Sequence, residues 1–111
     1  QGGYEIARQG WIGDYSDPMT FLDMWVTGGG NNDCGFSNSE YDSLIAEAKV
    51  ETDTKKREEL LRQAEDILMD EMPVIPVYFY TTVMAWNDDV EGVLVTALGK
   101  VYFKNAYKIA K

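Results

Sequence analysis

The chain has 111 residues, 45% of them hydrophobic, and a net charge of −9 from 19 acids against 10 bases. That length suits one domain or part of one, the apolar fraction supports a core rather than general disorder, and the charge lacks the cationic excess that a nucleic-acid binder needs to replace phosphate counterions. With no histidine and one cysteine, Cys34, an internal disulfide is excluded, and so is any Ser-His-Asp or Cys-His site built from this chain alone.

No apolar run reaches the roughly 18 residues of a membrane-spanning helix. The chain begins at Gln1 rather than Met, as a cut piece or a mature product would, so its first residues carry no reading of localisation. All acids lie at or before Glu91, whereas Lys100, Lys104, Lys108 and Lys111 follow it without one. Such a basic end pairs with the acidic body or with a part of a larger protein.

Tyr4 to Trp11 is short, partly apolar and bounded by glycines. It predicts a strand, buried on both faces because its alternation is poor. Gly13 then allows a tight turn, and Asp17-Pro18 signals a helix entry: aspartate caps free N–H groups and proline fits the first helical position. Asp14 sits between strand and helix, where open α/β folds place ligands. Spacing alone leaves Asp14 open between a turn acid and a ligand acid. Phe21, Met24 and Trp25 at i, i+3, i+4 predict a short helix over Pro18 to Val26 with an apolar face.

Thr27 to Phe36 is glycine- and asparagine-rich and predicts a mobile surface loop, with a ligand-facing flap as the alternative. It lacks the Gly-Lys-Ser/Thr ending of a phosphate loop and the late glutamate of a calcium loop. Asn38 or Ser37 caps the next helix, with Tyr41, Leu44, Ile45 and Ala48 on one face. Asp53 caps another from about Thr54 to Asp70, with Leu60, Leu61, Ala64, Ile67 and Leu68 inward, ended by Pro73. Arg57, Glu58, Glu59, Arg62, Glu65 and Asp66 read as its solvated face, and the pair as a helical hairpin lying on a sheet. Pro73 to Trp86 is rich in β-branched and aromatic residues and predicts the strongest strand. Trp25, Tyr78 and Trp86 read as packing residues, and Val90 to Lys111 as short strands and loop.

These residues stand in a familiar order. Gly10-Trp11-Ile12-Gly13-Asp14-Tyr15-Ser16-Asp17-Pro18-Met19-Thr20-Phe21-Leu22 resembles the aromatic-acidic segment of the family 5 extracellular solute-binding proteins, the oligopeptide- and dipeptide-binding receptors of ABC importers. Asn31-Asn32, Gly35-Phe36-Ser37-Asn38, Glu40-Tyr41-Asp42-Ser43-Leu44-Ile45 and Pro73-Val74-Ile75-Pro76-Val77-Tyr78 follow in the family's order. The resemblance runs from Tyr4 to Trp86 and more loosely to Lys111. It implies an α/β chain, the C-terminal part of a two-lobed type II periplasmic-binding fold. Residues 1–76 would belong to the second lobe, and residues 77–111 would form a crossover strand and tail packing toward the first.

The resemblance also implies a short-peptide ligand, a membrane permease as partner, the rest of a full-length binding protein, an extracytoplasmic setting (the periplasm, or a lipid anchor at the cell surface), no cofactor and no catalysis. Asp14 lies where the family binds the peptide's α-ammonium group. Gly10, Trp11, Ile12 and Gly13 would pair with the peptide backbone, with Trp11 lining the site. Some members carry cysteine where Ile12 stands, which alters a pocket wall and leaves side-chain preference open. Nickel and sugar specificities within the family stay open too. Two other readings stand beside this one: a carboxylate-dependent hydrolase using Asp14 and Asp17, and a small interaction module using the helical hairpin.

Overall fold

Asn38 and Asp53 start the two long helices, and each does so with its side chain. Asn38 Oδ1 accepts the N–H groups of Glu40 and Tyr41 at 2.9 and 3.0 Å, and Asp53 Oδ1 accepts that of Lys56 at 2.9 Å. These bonds satisfy donors that a helix start leaves without an intrahelical partner. The computed structural model describes residues 3–110 and divides into two units, Gln1–Ile75 and Pro76–Lys111.

The first unit is helical. It runs α1 (Met19–Leu22), a 3-10 turn (Asp23–Trp25), α2 (Ser39–Val50) and α3 (Thr54–Glu71). α2 buries Tyr41, Ile45 and Ala48, and α3 buries Leu60, Leu61, Ala64 and Leu68. These are the faces the 3.6-residue periodicity marks. Met19, Leu22, Met24, Trp25 and Phe36 complete the core, and Trp11, Val26, Leu44, Ile67 and Val74 pack against it. Met72, at φ 47, closes α3 ahead of Pro73, which disfavours a further right-handed helical residue before it.

The predicted helix over Pro18 to Val26 is corrected in its second half. It tightens into a 3-10 turn after Leu22, so the register shifts: Met24 and Trp25 are buried while Phe21 is exposed. The predicted strand over Tyr4 to Trp11 is also corrected. This run has no regular secondary structure, and it is exposed except for the half-buried Trp11. A strand needs a hydrogen-bonded neighbour, and no described residue supplies one. For the same reason the helical hairpin has no sheet beneath it among the described residues of this unit.

The predicted strand over Pro73 to Trp86, which runs from the end of the first unit into the second, forms no ladder either, and Val77, Phe79 and Val83 are 80%, 98% and 91% exposed. Tyr78 and Trp86 are exposed rather than packed inside. An alternating apolar run with no partner strand has no sheet face to cover it. Four short strands follow: β1 (Val90–Glu91), β2 (Leu94–Val95), β3 (Val101–Tyr102) and β4 (Tyr107–Lys108). β2 pairs antiparallel with β3, and β1 with β4, so one pair nests inside the other. Gly92 allows that nesting. Its φ is +75, and a Cβ there would lie 2.0 Å from the Asn105 carbonyl oxygen. Lys108 of the basic tail pairs with Asp89 at 3.1 Å. Lys111 lies outside the described residues.

Candidate functional site

Asp14 is exposed, and its carboxylate makes no hydrogen bond or ion pair among the described residues. Its backbone is held instead: the Asp14 N–H donates to Thr20 Oγ1 at 3.0 Å. Thr20 is 2% exposed, the one buried polar residue beside the core among the described residues. Gly13 permits this approach. A Cβ on Gly13 would meet Thr20 Cγ2 at 3.1 Å and the Phe21 ring at 3.3 Å.

The remaining predicted contact residues lie along the same run. Gly10 and Ile12 are exposed, and Gly13 is half-buried. Trp11 is half-buried and rests on the core, with its Nε1 enclosed and without a hydrogen-bond partner among the described residues. Two long-range bonds hold the run below it: Gln9 Nε2 donates to the Asn31 carbonyl at 3.3 Å, and Tyr4 Oη to that of Asp33 at 3.4 Å. From Gly10 to Gly13 no backbone hydrogen bond forms among the described residues. The result, among the described residues, is a main-chain run without backbone partners that ends at a carboxylate without one.

Asp17 behaves differently from Asp14. Its Oδ1 accepts the Met19 N–H at 2.8 Å, the capping role its place before Pro18 predicts. Its carboxylate also forms a two-pronged pair with Arg57, Nη1 to Oδ2 and Nη2 to Oδ1, both at 2.9 Å. Arg57 is thus corrected from a solvated helix position to a half-buried strut. Its Nε donates to the Ala48 carbonyl at 3.2 Å, so one guanidinium joins α3, the end of α2 and the turn before α1. Residue spacing along α3 could not show a partner 40 positions away in sequence. By contrast, Arg62 pairs, among the described residues, with Glu59 and Asp66 on its own helix, as a solvated face does.

The Arg57 hydrogen bonds, and then the Met19 N–H, hold the Asp17 carboxyl below the usual carboxylate range. A carboxyl with a depressed folded pKa stabilises the fold above its unfolded pKa of about 4 and loses that contribution as pH falls through the folded value. The stability gap between the wild type and Asp17→Asn, followed by urea unfolding, is therefore expected to narrow from pH 6 to pH 3. A gap that stays constant across that range contradicts this role.

Asn32 was also missed as an organiser. Its Nδ2 donates to the Trp25, Val26 and Phe36 carbonyls at 3.3, 3.1 and 2.7 Å, and its Oδ1 accepts the Phe36 N–H at 3.0 Å. The Thr27 to Phe36 segment is therefore wound around one amide rather than loose. Asparagine's ability to bond to nearby backbone was the available signal. Among the described residues, no group of three or more His, Cys, Asp or Glu is placed to hold a metal ion. An open groove lined by Pro18, Leu22, Glu58, Leu61, Arg62 and Glu65 does not include Asp14.

Known proteins similar to this chain are solute-binding proteins. The oligopeptide-binding protein OppA of Bacillus subtilis is 48% identical over 105 residues, covering 94% of this chain and 19% of that protein. The dipeptide-binding protein DppE of the same organism is 41% identical over 105 residues, covering 95% and 19%. The substrate-binding domain of the oligopeptide ABC transporter from Bacillus anthracis superposes with a TM-score of 0.77 at 32% identity, covering 90% of this chain and 20% of that one. The pheromone receptor PrgZ superposes at 0.74 with 31% identity, covering 91% and 19%. No family model matches the chain.

The chain belongs to the family 5 solute-binding proteins, as an α/β piece of a periplasmic-binding-protein-like fold. It spans about a fifth of the length of the relatives it matches. These relatives are binding proteins by name, not enzymes. The hydrolase reading also loses its second carboxylate, because Asp17 is committed to Arg57 and Met19.

Proposed function

We propose that the full-length protein is the substrate-binding component of a peptide ABC importer, working outside the cytoplasm and capturing short peptides in extended form. Its relatives are named oligopeptide- and dipeptide-binding proteins, and several are named periplasmic. Residues 1–76 belong to the second ligand-binding lobe in this reading, and residues 77–111 are a crossover and tail directed to the first. The protein works in the periplasm or lipid-anchored at the cell surface, and the importer's membrane permease completes the assembly.

The observation that carries the reading is the free carboxylate of Asp14 at the end of the unpaired main-chain run from Gly10 to Gly13. An extended peptide adding to such an edge gains main-chain hydrogen bonds that do not depend on its sequence. Trp11 and Ile12 flank it with apolar surface. A carboxylate at the amino end then fixes the register. At an effective dielectric of ~20, a charge pair at ~4 Å is worth roughly 4 kcal/mol before desolvation. The test is a complex of the full-length protein with a short peptide, which the reading expects to be recovered uncleaved with its amino end against Asp14. Cleavage, or an amino end held elsewhere, overturns it.

A further inference from the structure

A side chain with no partner of its own points wherever its backbone directs it, and the Asp14 carboxylate has none among the described residues. We infer that Thr20 and the Asp17–Arg57 pair are positioning residues that aim the Asp14 carboxylate at the ligand's ammonium group. This rests on the reading of Asp14 as the amine-binding acid.

The turn from Gly13 to Thr20 is pinned at three places. The Asp14 N–H is held by Thr20 Oγ1 at 3.0 Å, and Thr20 itself is fixed by burial. The Asp17 N–H donates back to the Tyr15 carbonyl at 3.0 Å, which closes the middle of the turn. The Asp17 carboxylate is clamped by Arg57 through two bonds of 2.9 Å, and Arg57 is in turn tied to Ala48 at the end of α2. A two-pronged guanidinium–carboxylate pair fixes orientation as well as distance.

The same pair also bears on the neighbouring acid. Arg57 spends both Nη atoms on Asp17 rather than on Asp14. One acid is consumed in holding the loop and the other is left for a cationic guest. Binding constellations need geometry held to about 0.5 Å by such supporting contacts. Letting the carboxylate drift from ~4 to ~5.5 Å at an effective dielectric of ~20 removes roughly a quarter of the attraction. That corresponds to about fivefold in affinity.

The experiment measures binding of tetra-alanine and N-acetyl-tetra-alanine by calorimetry on the full-length protein, and takes the ratio of the two affinities. Thr20→Val removes the acceptor of the Asp14 N–H at similar volume, and Thr20→Ser restores it. The ratio is expected to fall about three- to tenfold in Thr20→Val and in Arg57→Gln, and to stay near the wild-type value in Thr20→Ser. A variant that melts earlier yet keeps the wild-type ratio assigns these residues a structural role only and overturns the inference. Should Arg57→Gln fail to fold, the Thr20 pair decides alone. Asp14→Asn separates the two levels. If it retains the wild-type ratio, or if the wild type shows no preference for the free amine, the amine-binding reading itself fails. If it loses the preference while Thr20→Val keeps it, only the positioning inference fails.

Discussion

Asp14→Asn in the full-length protein is expected to weaken binding of free-amine peptides by on the order of a hundredfold, and of N-acetylated peptides far less. The substitution keeps the size, removes the charge and replaces one accepting oxygen with an amide NH2 that cannot accept from an ammonium group. On the proposed reading the bound peptide's ammonium is withdrawn from water, so losing its counter-charge would strand a buried cation at a cost of about 3–5 kcal/mol. That is the origin of the hundredfold. An N-acetylated peptide carries no charge at that end and loses little. Because the Asp14 carboxylate makes no hydrogen bond or ion pair among the described residues, the fold should barely register the change. Equal losses for both peptides, measured by calorimetry, would remove Asp14 from its assigned role.

The largest stability effect is expected at Tyr41, whose side chain is fully buried in the first unit. Its ring meets Phe36 edge-on, with centroids 5.4 Å apart and planes at 85°. Its hydroxyl donates to the Leu22 carbonyl, joining α2 to the end of α1. Burial, reinforced by Asp23 and Asp42, pushes that hydroxyl far above its ordinary pKa and keeps it a donor at any working pH. Tyr41→Ala opens a cavity at the centre of this core and should cost about 3–5 kcal/mol in chemical unfolding. Tyr41→Phe keeps the ring and leaves the Leu22 carbonyl without its donor, for about 1–3 kcal/mol. A loss below about 1 kcal/mol for Tyr41→Ala, within the range of ordinary surface changes, would mean that this ring does not organise the core.

What the sequence shows and hides follows from the range of each interaction. The helical hairpin is readable because periodicity and capping are local: Asn38, Asp53, Tyr41, Ile45, Leu61 and Ala64 declare their roles within a few residues of themselves. Strands are readable only as potential. Tyr4 to Trp11 and Pro73 to Trp86 carry strand composition, yet a ladder depends on a second segment that the described residues do not contain. Asp17 is half legible, since its capping role is local and its Arg57 partner is not. Asn32 hides for another reason. A glycine- and asparagine-rich composition describes a loop well enough, but not which amide the loop is wound around.

The candidate site divides the same way. Asp14 draws attention through its place at a turn before a helix entry and through the ordered family motif around it. That its carboxylate stands free, and that Thr20 holds its backbone, are facts of three-dimensional arrangement. The two acids of one short turn look alike in sequence, and their environments separate them: Asp17 is paired with Arg57 and structural, whereas the Asp14 carboxylate has no hydrogen-bond or ion-pair partner among the described residues.

The central claim is that Asp14 receives the amino end of an extended peptide. A structure of the full-length protein with a short free-amine peptide bound tests it most directly, through the distance from the peptide's terminal nitrogen to the Asp14 carboxylate. The account predicts a charge-assisted hydrogen bond of about 2.7–2.9 Å, with Arg57 still on Asp17. A terminal nitrogen bound elsewhere, or an Asp14 carboxylate turned onto a lysine or arginine of the full-length protein, would contradict it.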